Sequence, residues 1–162
     1  MVLLSRMEDQ LRKGETYTGV TVCYACHDGE GNFVFPKRGE RCRDEHGVWD
    51  AGGGGVDFGI SVEETLRKEI KEEYCTDAIS HEFLGYRDLF RDQGGKKTHW
   101  VTLDFKVLVD PLKVSNGEPH KFDDVAWFRL DRLPTLMHSG WPAFFGKYRD
   151  ILLNVDHGRT EV

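Results

Sequence analysis

No apolar run in these 162 residues approaches the roughly 20 that a membrane-spanning helix requires. Val2-Leu3-Leu4, ahead of Ser5-Arg6, is too short for a signal-peptide core. A soluble, cytoplasmic protein with no membrane partner is therefore expected, and its four cysteines are expected as reduced thiols. An excess of basic charge is also missing: 22 Lys and Arg stand against 28 Asp and Glu, a formal charge of −6. That balance disfavours a nucleic-acid polymer or a membrane surface, both of which favour a positive protein. No internal repeat, linker or low-complexity tract is visible, so residues 1–162 read as one domain. A chain of this length buries about 70% of its unfolded surface and needs neither disulfides nor a structural metal. Glycine, by contrast, is abundant. Its 18 residues are about 11% of the chain, against about 7% in average proteins.

The cysteines admit two metal patterns. Cys23-Tyr24-Ala25-Cys26-His27 has the spacing of a c-type haem attachment, and Cys23, Cys26, Cys42 and His46 could be read as a zinc set. Residues 16–27, however, look like a strand, with Val20, Val22 and Tyr24 at period two. On a strand, positions 23 and 26 face opposite ways, which suits neither a chelate nor a thioether pair. Small buried strand residues are the expectation.

Further along, Asp28-Gly29-Glu30-Gly31-Asn32 is a turn cluster, and an extended run resumes over residues 32–35, closed by Pro36-Lys37-Arg38-Gly39. Residues 40–47 are polar and loop-like. Gly52 to Gly55 read as a glycine-rich loop. Ser61 and Glu64 form an S-x-x-E capping box for a helix that runs to about Tyr74. Strands are expected over residues 79–86, 99–109 and 124–130, the second showing the clearest alternation, Val101 to Val109. A last helix is expected over residues 142–153, with Trp141, Phe145, Tyr148 and Leu152 on one face. Strands mixed with two helices indicate a layered α/β or α+β fold.

On a wheel of about 100° per residue, Val62, Leu66, Ile70 and Tyr74 form one apolar stripe of the first helix. Glu69, Glu72 and Glu73 share an arc of about 100° that overlaps the edge of that stripe. Glu64, Arg67, Lys68 and Lys71 lie on the far side. Carboxylates crowded against a buried face repel one another unless a cation sits among them. Hard oxygen donors suit Mg²⁺ or Mn²⁺. A glycine-rich approach, a helix start and a carboxylate trio together point to a diphosphate held through a divalent metal.

These residues resemble the Nudix hydrolase signature, G-x5-E-x7-R-E-U-x-E-E-x-G-U, where U is a bulky aliphatic. Gly54, Glu69, Ile70, Glu72 and Glu73 match it in register between Gly54 and Thr76. Ile60 replaces the first glutamate, Lys68 the arginine and Cys75 the late glycine, and Thr76 departs from the aliphatic end. Residues 33–38, 48–53 and 125–134 also resemble family segments. The resemblance implies an α/β/α sandwich around a mixed central β-sheet and metal-dependent hydrolysis of a nucleoside diphosphate linked to another moiety. By it, Glu69, Glu72 and Glu73 bind Mg²⁺ or Mn²⁺, joined by the Gly54 carbonyl, and Ile60 removes one carboxylate from the set. The general base is sought in residues 116–124, with Glu118 preferred, although that stretch also reads as a polar turn. Arg38 is a candidate phosphate contact, and Trp100 or His99 a candidate neighbour of the base or sugar. Nucleotide sugars, dinucleotides and nucleoside triphosphates all stay open as substrates, and the homodimer common in this family stays open too. The alternative is a catalytically weak nucleotide-binding or regulatory module of the same fold, motivated by Ile60, Lys68 and Cys75.

Overall fold

A computed structural model describes residues 11–154 of the chain. The N-terminal Val2-Leu3-Leu4 lies outside the described residues. Among the described residues the strands are β1 (Gly19–His27), β2 (Asn32–Arg38), β3 (Gly52–Gly55), β4 (Ala78–Gln93), β5 (Lys96–Val109) and β6 (Phe122–Arg129). The helices among them are α1 (Val62–Tyr74) and α2 (Trp141–Leu153). The sheet order is β4-β5-β1-β2-β6, with β3 paired to β1. The β1–β5 pairing is parallel and the others are antiparallel, which makes the sheet mixed, as expected. Among the described residues, no helix is long and apolar enough to cross a membrane.

The alternation along β1 sorts its side chains between two cores. Val22, Tyr24 and Cys26 pack with Leu66, Ile70 and Tyr74 of α1. Cys23 and Ala25 face the other way, against Phe144, Tyr148 and Leu152 of α2. Cys23 and Cys26 therefore lie on opposite faces, and no pair of cysteines is bridged. Full burial of side chains such as Leu66 and Ile70 contributes about 1.5–3 kcal/mol each. Helix α1 starts on the capping box: Ser61 Oγ accepts from the Glu64 N–H, and the Glu64 carboxylate accepts from the Ser61 N–H. It ends at Cys75, whose left-handed backbone (φ 57°) takes the place usually given to glycine.

Four expectations change. Gly52 to Gly55 form β3 rather than a loop, pairing with Thr21 to Tyr24. The strand fits because its residues lack Cβ atoms. A Cβ on Gly52 would overlap the Tyr24 ring, and one on Gly54 would overlap the Glu69 carboxyl. The strand expected over residues 79–86 extends from Ala78 to Gln93 as β4, with register shifts near residues 78–80 and 83–85. Pro36 does not end β2 but lies within it, opposite Val125. On α2 the buried face holds Trp141, Phe144, Tyr148 and Leu152, while Phe145 is only partly buried.

Candidate active site

Helix α1 presents Glu69, Glu72 and Glu73 to three different environments. Glu73, on the side of the apolar stripe, is 2% exposed. Its Oε2 accepts from the Tyr24 hydroxyl at 2.6 Å, and its Oε1 accepts from Lys121 Nζ at 3.3 Å. Burial raises its carboxyl to about 7, against the opposing pull of the Lys121 charge and the Tyr24 hydroxyl. Glu69 is half-buried, with its carboxyl packed on the Gly54 backbone. Burial and then the neighbouring Glu72 charge raise its pKa as well. Among the described residues the Glu69 carboxylate has neither a hydrogen bond nor an ion pair. Glu72 is exposed, with Lys68 Nζ 3.9 Å from its Oε1.

Glu118 joins this group from the segment between β5 and β6. The Ser115 N–H donates to the Tyr74 carbonyl and the Gly117 N–H to the Glu73 carbonyl, so the segment docks on the last turn of α1. The Lys121 and Phe122 N–H groups both donate to the Glu118 carbonyl, closing one tight turn. Within it, Lys121 Nζ donates to Glu118 Oε2 at 2.9 Å while also reaching Glu73. Of the turn expected over residues 116–124, the part up to Lys121 is a turn and residues 122–124 are already strand β6, and the turn carries Glu118 to the helix carboxylates.

Beside these groups lies a cavity of about 390 Å³, within the usual range for small-molecule sites. Gly52 to Gly55, Glu73, Lys121, Arg38 and Trp100 all line it. Arg38 ends β2 and is committed inside the protein, with Nη2 to Asp44 Oδ1 at 2.8 Å and Nη1 to Asp50 Oδ2 at 3.1 Å. Arg91 continues the network to Asp44, Glu45 and His138. Burial lowers the His138 pKa, against the Asp50 and Glu45 charges, and raises that of Asp50, against His138 and Arg38. Trp100 lies against Gly14 and Gly19 at the cavity wall. His99 instead stacks on Phe90 at 4.3 Å and donates from Nε2 to Asp88, and it does not line the cavity.

Tyr24, Lys121, Arg91, His138 and the aspartates paired with Arg38 were not singled out from the sequence. Tyr24 carried a signal, since its period-two position faces the helix stripe. Arg91 and His138 carried none, being 47 residues apart.

The carboxylates grouped at α1, Glu69, Glu72, Glu73 and Glu118, are hard oxygen donors. Among the described residues, no group of three or more His, Cys, Asp and Glu is arranged to hold a metal ion. That holds for the zinc set too: Cys42 Sγ–H donates to the Lys121 carbonyl and His46 Nε2 binds the Cys42 carbonyl. The unpaired Glu69, the exposed Glu72 and the adjoining Gly54 strand fit a different arrangement, in which Mg²⁺ takes one or two carboxylates and completes its shell with water and substrate phosphate.

Residues 17–145 match the family described as NUDIX domain, and the chain belongs to that family. At that level it is a Nudix-type pyrophosphohydrolase. Its fold is similar to that of the MutT NUDIX hydrolase from Burkholderia pseudomallei, with TM-score 0.71 and 24% identity over 81% of this chain and 98% of that one. It is similar too to the NUDIX domain of Shewanella oneidensis NrtR, complexed with ADP ribose, with TM-score 0.68 and 18% identity over 94% and 99%. A bifunctional NMN adenylyltransferase/ADP ribose pyrophosphatase from Francisella tularensis matches with TM-score 0.64 and 12% identity over 93% of this chain and 45% of the longer one. At these identities the likeness is one of fold.

Proposed function

We propose that this protein hydrolyses a diphosphate bond in a nucleoside diphosphate linked to another moiety, using Mg²⁺ or Mn²⁺ held at Glu69 and Glu72. The Glu69 carboxylate carries this reading. It is half-buried, bonded to no cation among the described residues and pressed against the Gly54 backbone, and burial and the Glu72 charge disfavour its ionised form against the weaker pull of Lys68 and Lys121. A divalent ion there would neutralise phosphate charge and lower the pKa of an attacking water. Gly54 lies against the Glu69 carboxyl, and its carbonyl, which already accepts from the Thr21 hydroxyl at 2.8 Å, is the further oxygen proposed for the metal. Glu73 is held by Tyr24 and Lys121, which suits it to fixing the geometry of the helix end. Glu118 is the candidate proton acceptor, because the docked turn sets it beside the helix carboxylates. Trp100 offers the cavity an aromatic wall for a base or sugar. Arg38, already paired with two aspartates, acts by shaping the cavity and gives a phosphate little free charge.

The test is product release from a panel of nucleotide sugars, dinucleotides and nucleoside triphosphates with Mg²⁺ or Mn²⁺. Glu69→Gln and Glu72→Gln are expected to lower kcat/KM by about 100-fold or more, and Glu118→Gln to lower kcat by about 100-fold. Unchanged turnover in Glu69→Gln and Glu72→Gln would remove the metal assignment. Tight nucleotide binding without turnover across the panel would favour a regulatory module.

A further inference from the structure

Lys121 stands out among the groups around α1 because its position is fixed from every side. Its carbonyl accepts from the Gly39 N–H at 3.0 Å and from Cys42 Sγ–H at 3.2 Å. Its own N–H is held by Glu118 at 2.8 Å, and the turn that bears it docks on the Tyr74 and Glu73 carbonyls. From that anchored backbone Nζ reaches Glu118 Oε2 and Glu73 Oε1 together and lies 4.7 Å from the centre of the Phe122 ring. A flexible surface lysine would not carry so many restraints. Its ammonium is also the one cation bonded to the buried Glu73 carboxylate among the described residues.

We propose that Lys121 is a resident cation of the acidic site, seated between Glu73 and Glu118 and confining divalent metal to the Glu69–Glu72 side. The proposal rests on the metal reading above. Of Glu69, Glu72, Glu73 and Glu118, the last two bond the lysine directly, and Glu69, bonded to no cation among the described residues, and Glu72, 3.9 Å from the exposed Lys68, are left to a metal. Ile60, which brings no carboxylate to the family position it occupies, points the same way: the chain supplies fewer anionic ligands and one permanent positive charge. Lys121 is here a positioning residue that sets how many metal ions the site accepts.

Mn²⁺ binding to chelator-stripped protein at pH 8, followed by loss of the EPR signal of free Mn²⁺, counts the ions directly and without substrate. Lys121→Met is expected to bind one more Mn²⁺ per chain than the wild type, and Lys121→Arg, which keeps the charge, to match the wild type. Lys121→Met strips a buried carboxylate of its partner. If it fails to give a cooperative urea transition, Lys121→Gln, whose amide still donates to Glu73, supplies the same readout. Equal stoichiometry and affinity in the wild type and the neutral variants would overturn the Lys121 assignment while leaving the metal reading intact. If none of these proteins binds Mn²⁺, the metal reading falls, and this inference with it.

Discussion

Replacing Glu73 by glutamine isolates the energetic consequence of burying a carboxylate beneath α1. Glu73 is 2% exposed, and its carboxyl is raised from 4.5 to about 7, burial outweighing Lys121 and Tyr24. Below pH 4.5 the folded and unfolded states both hold the proton, and the contribution of the neutral carboxyl to stability is complete. As pH rises toward 7 the unfolded chain releases its proton while the folded one keeps it, so stability falls. At about 1.4 kcal/mol for each pH unit, the interval from 4.5 to about 7 amounts to about 3 kcal/mol. Glutamine has the same shape, still accepts from the Tyr24 hydroxyl and never ionises. Glu73→Gln should therefore match the wild type at pH 4.5 and exceed it by about 3 kcal/mol at pH 8. Urea unfolding in EDTA at both pH values measures the difference, and titrations common to both proteins cancel in it. A variant less stable than the wild type at pH 8 would refute the reasoning, because the Lys121 pair would then outweigh desolvation.

Gly54→Ala would set a methyl group where the Glu69 carboxyl now lies. The flexible carboxyl can move aside, so stability should change by less than about 1 kcal/mol while Mn²⁺ affinity and kcat/KM fall at least about tenfold. An active, tightly binding variant would detach Gly54 from the site. Of the four free thiols, Cys75 is exposed, Cys23 is half-buried and Cys26 and Cys42 are buried, and burial pushes the Cys23 and Cys26 thiols up. A thiol reagent on native protein should show one fast-reacting group, abolished in Cys75→Ala; fast reaction surviving that change would contradict the assigned burial. Cys75 holds φ 57° and ψ 13°, a conformation that favours glycine. Cys75→Gly should raise stability by about 0.5–1 kcal/mol in urea unfolding, and a loss would show that the thiol contacts outweigh backbone strain.

Local patterns were legible where they are regular. Ser61 and Glu64 mark the start of α1, and Val62, Leu66, Ile70 and Tyr74 mark its buried stripe, so the helix register and the shared side of the three glutamates follow from spacing alone. The strand β5 is legible for the same reason. The glycines of β3 are not, because a period of two needs side chains to display it, and these residues are a strand through what they lack. The full length of β4 was hidden by register shifts that break its alternation. Unequal burial of the glutamates could not be read from the wheel. It depends on Tyr24, 49 residues away, and on Lys121, 48 residues away. Arg38 was legible as a basic residue at a strand end, but its commitment to Asp44 and Asp50 depends on the path of the loop between β2 and β3.

The departures from the family pattern bear on where positive charge enters the acidic site. Lys68, standing where the pattern has arginine, lies 3.9 Å from Glu72, and both side chains are about half exposed, so this pair contributes little. The compensation with a buried partner comes from Lys121, outside the signature. Its delivery depends on the end of α1: Cys75 turns the chain left-handed, and the Tyr74 and Glu73 carbonyls that the helix leaves unpaired accept the Ser115 and Gly117 N–H groups. The two bonds that cap the helix thus also set Glu118 and Lys121 against Glu73. A shift of this turn would remove the candidate base and the resident cation together, leaving Glu73 buried without a positive partner. Helix capping and charge compensation at the site are therefore one structural arrangement.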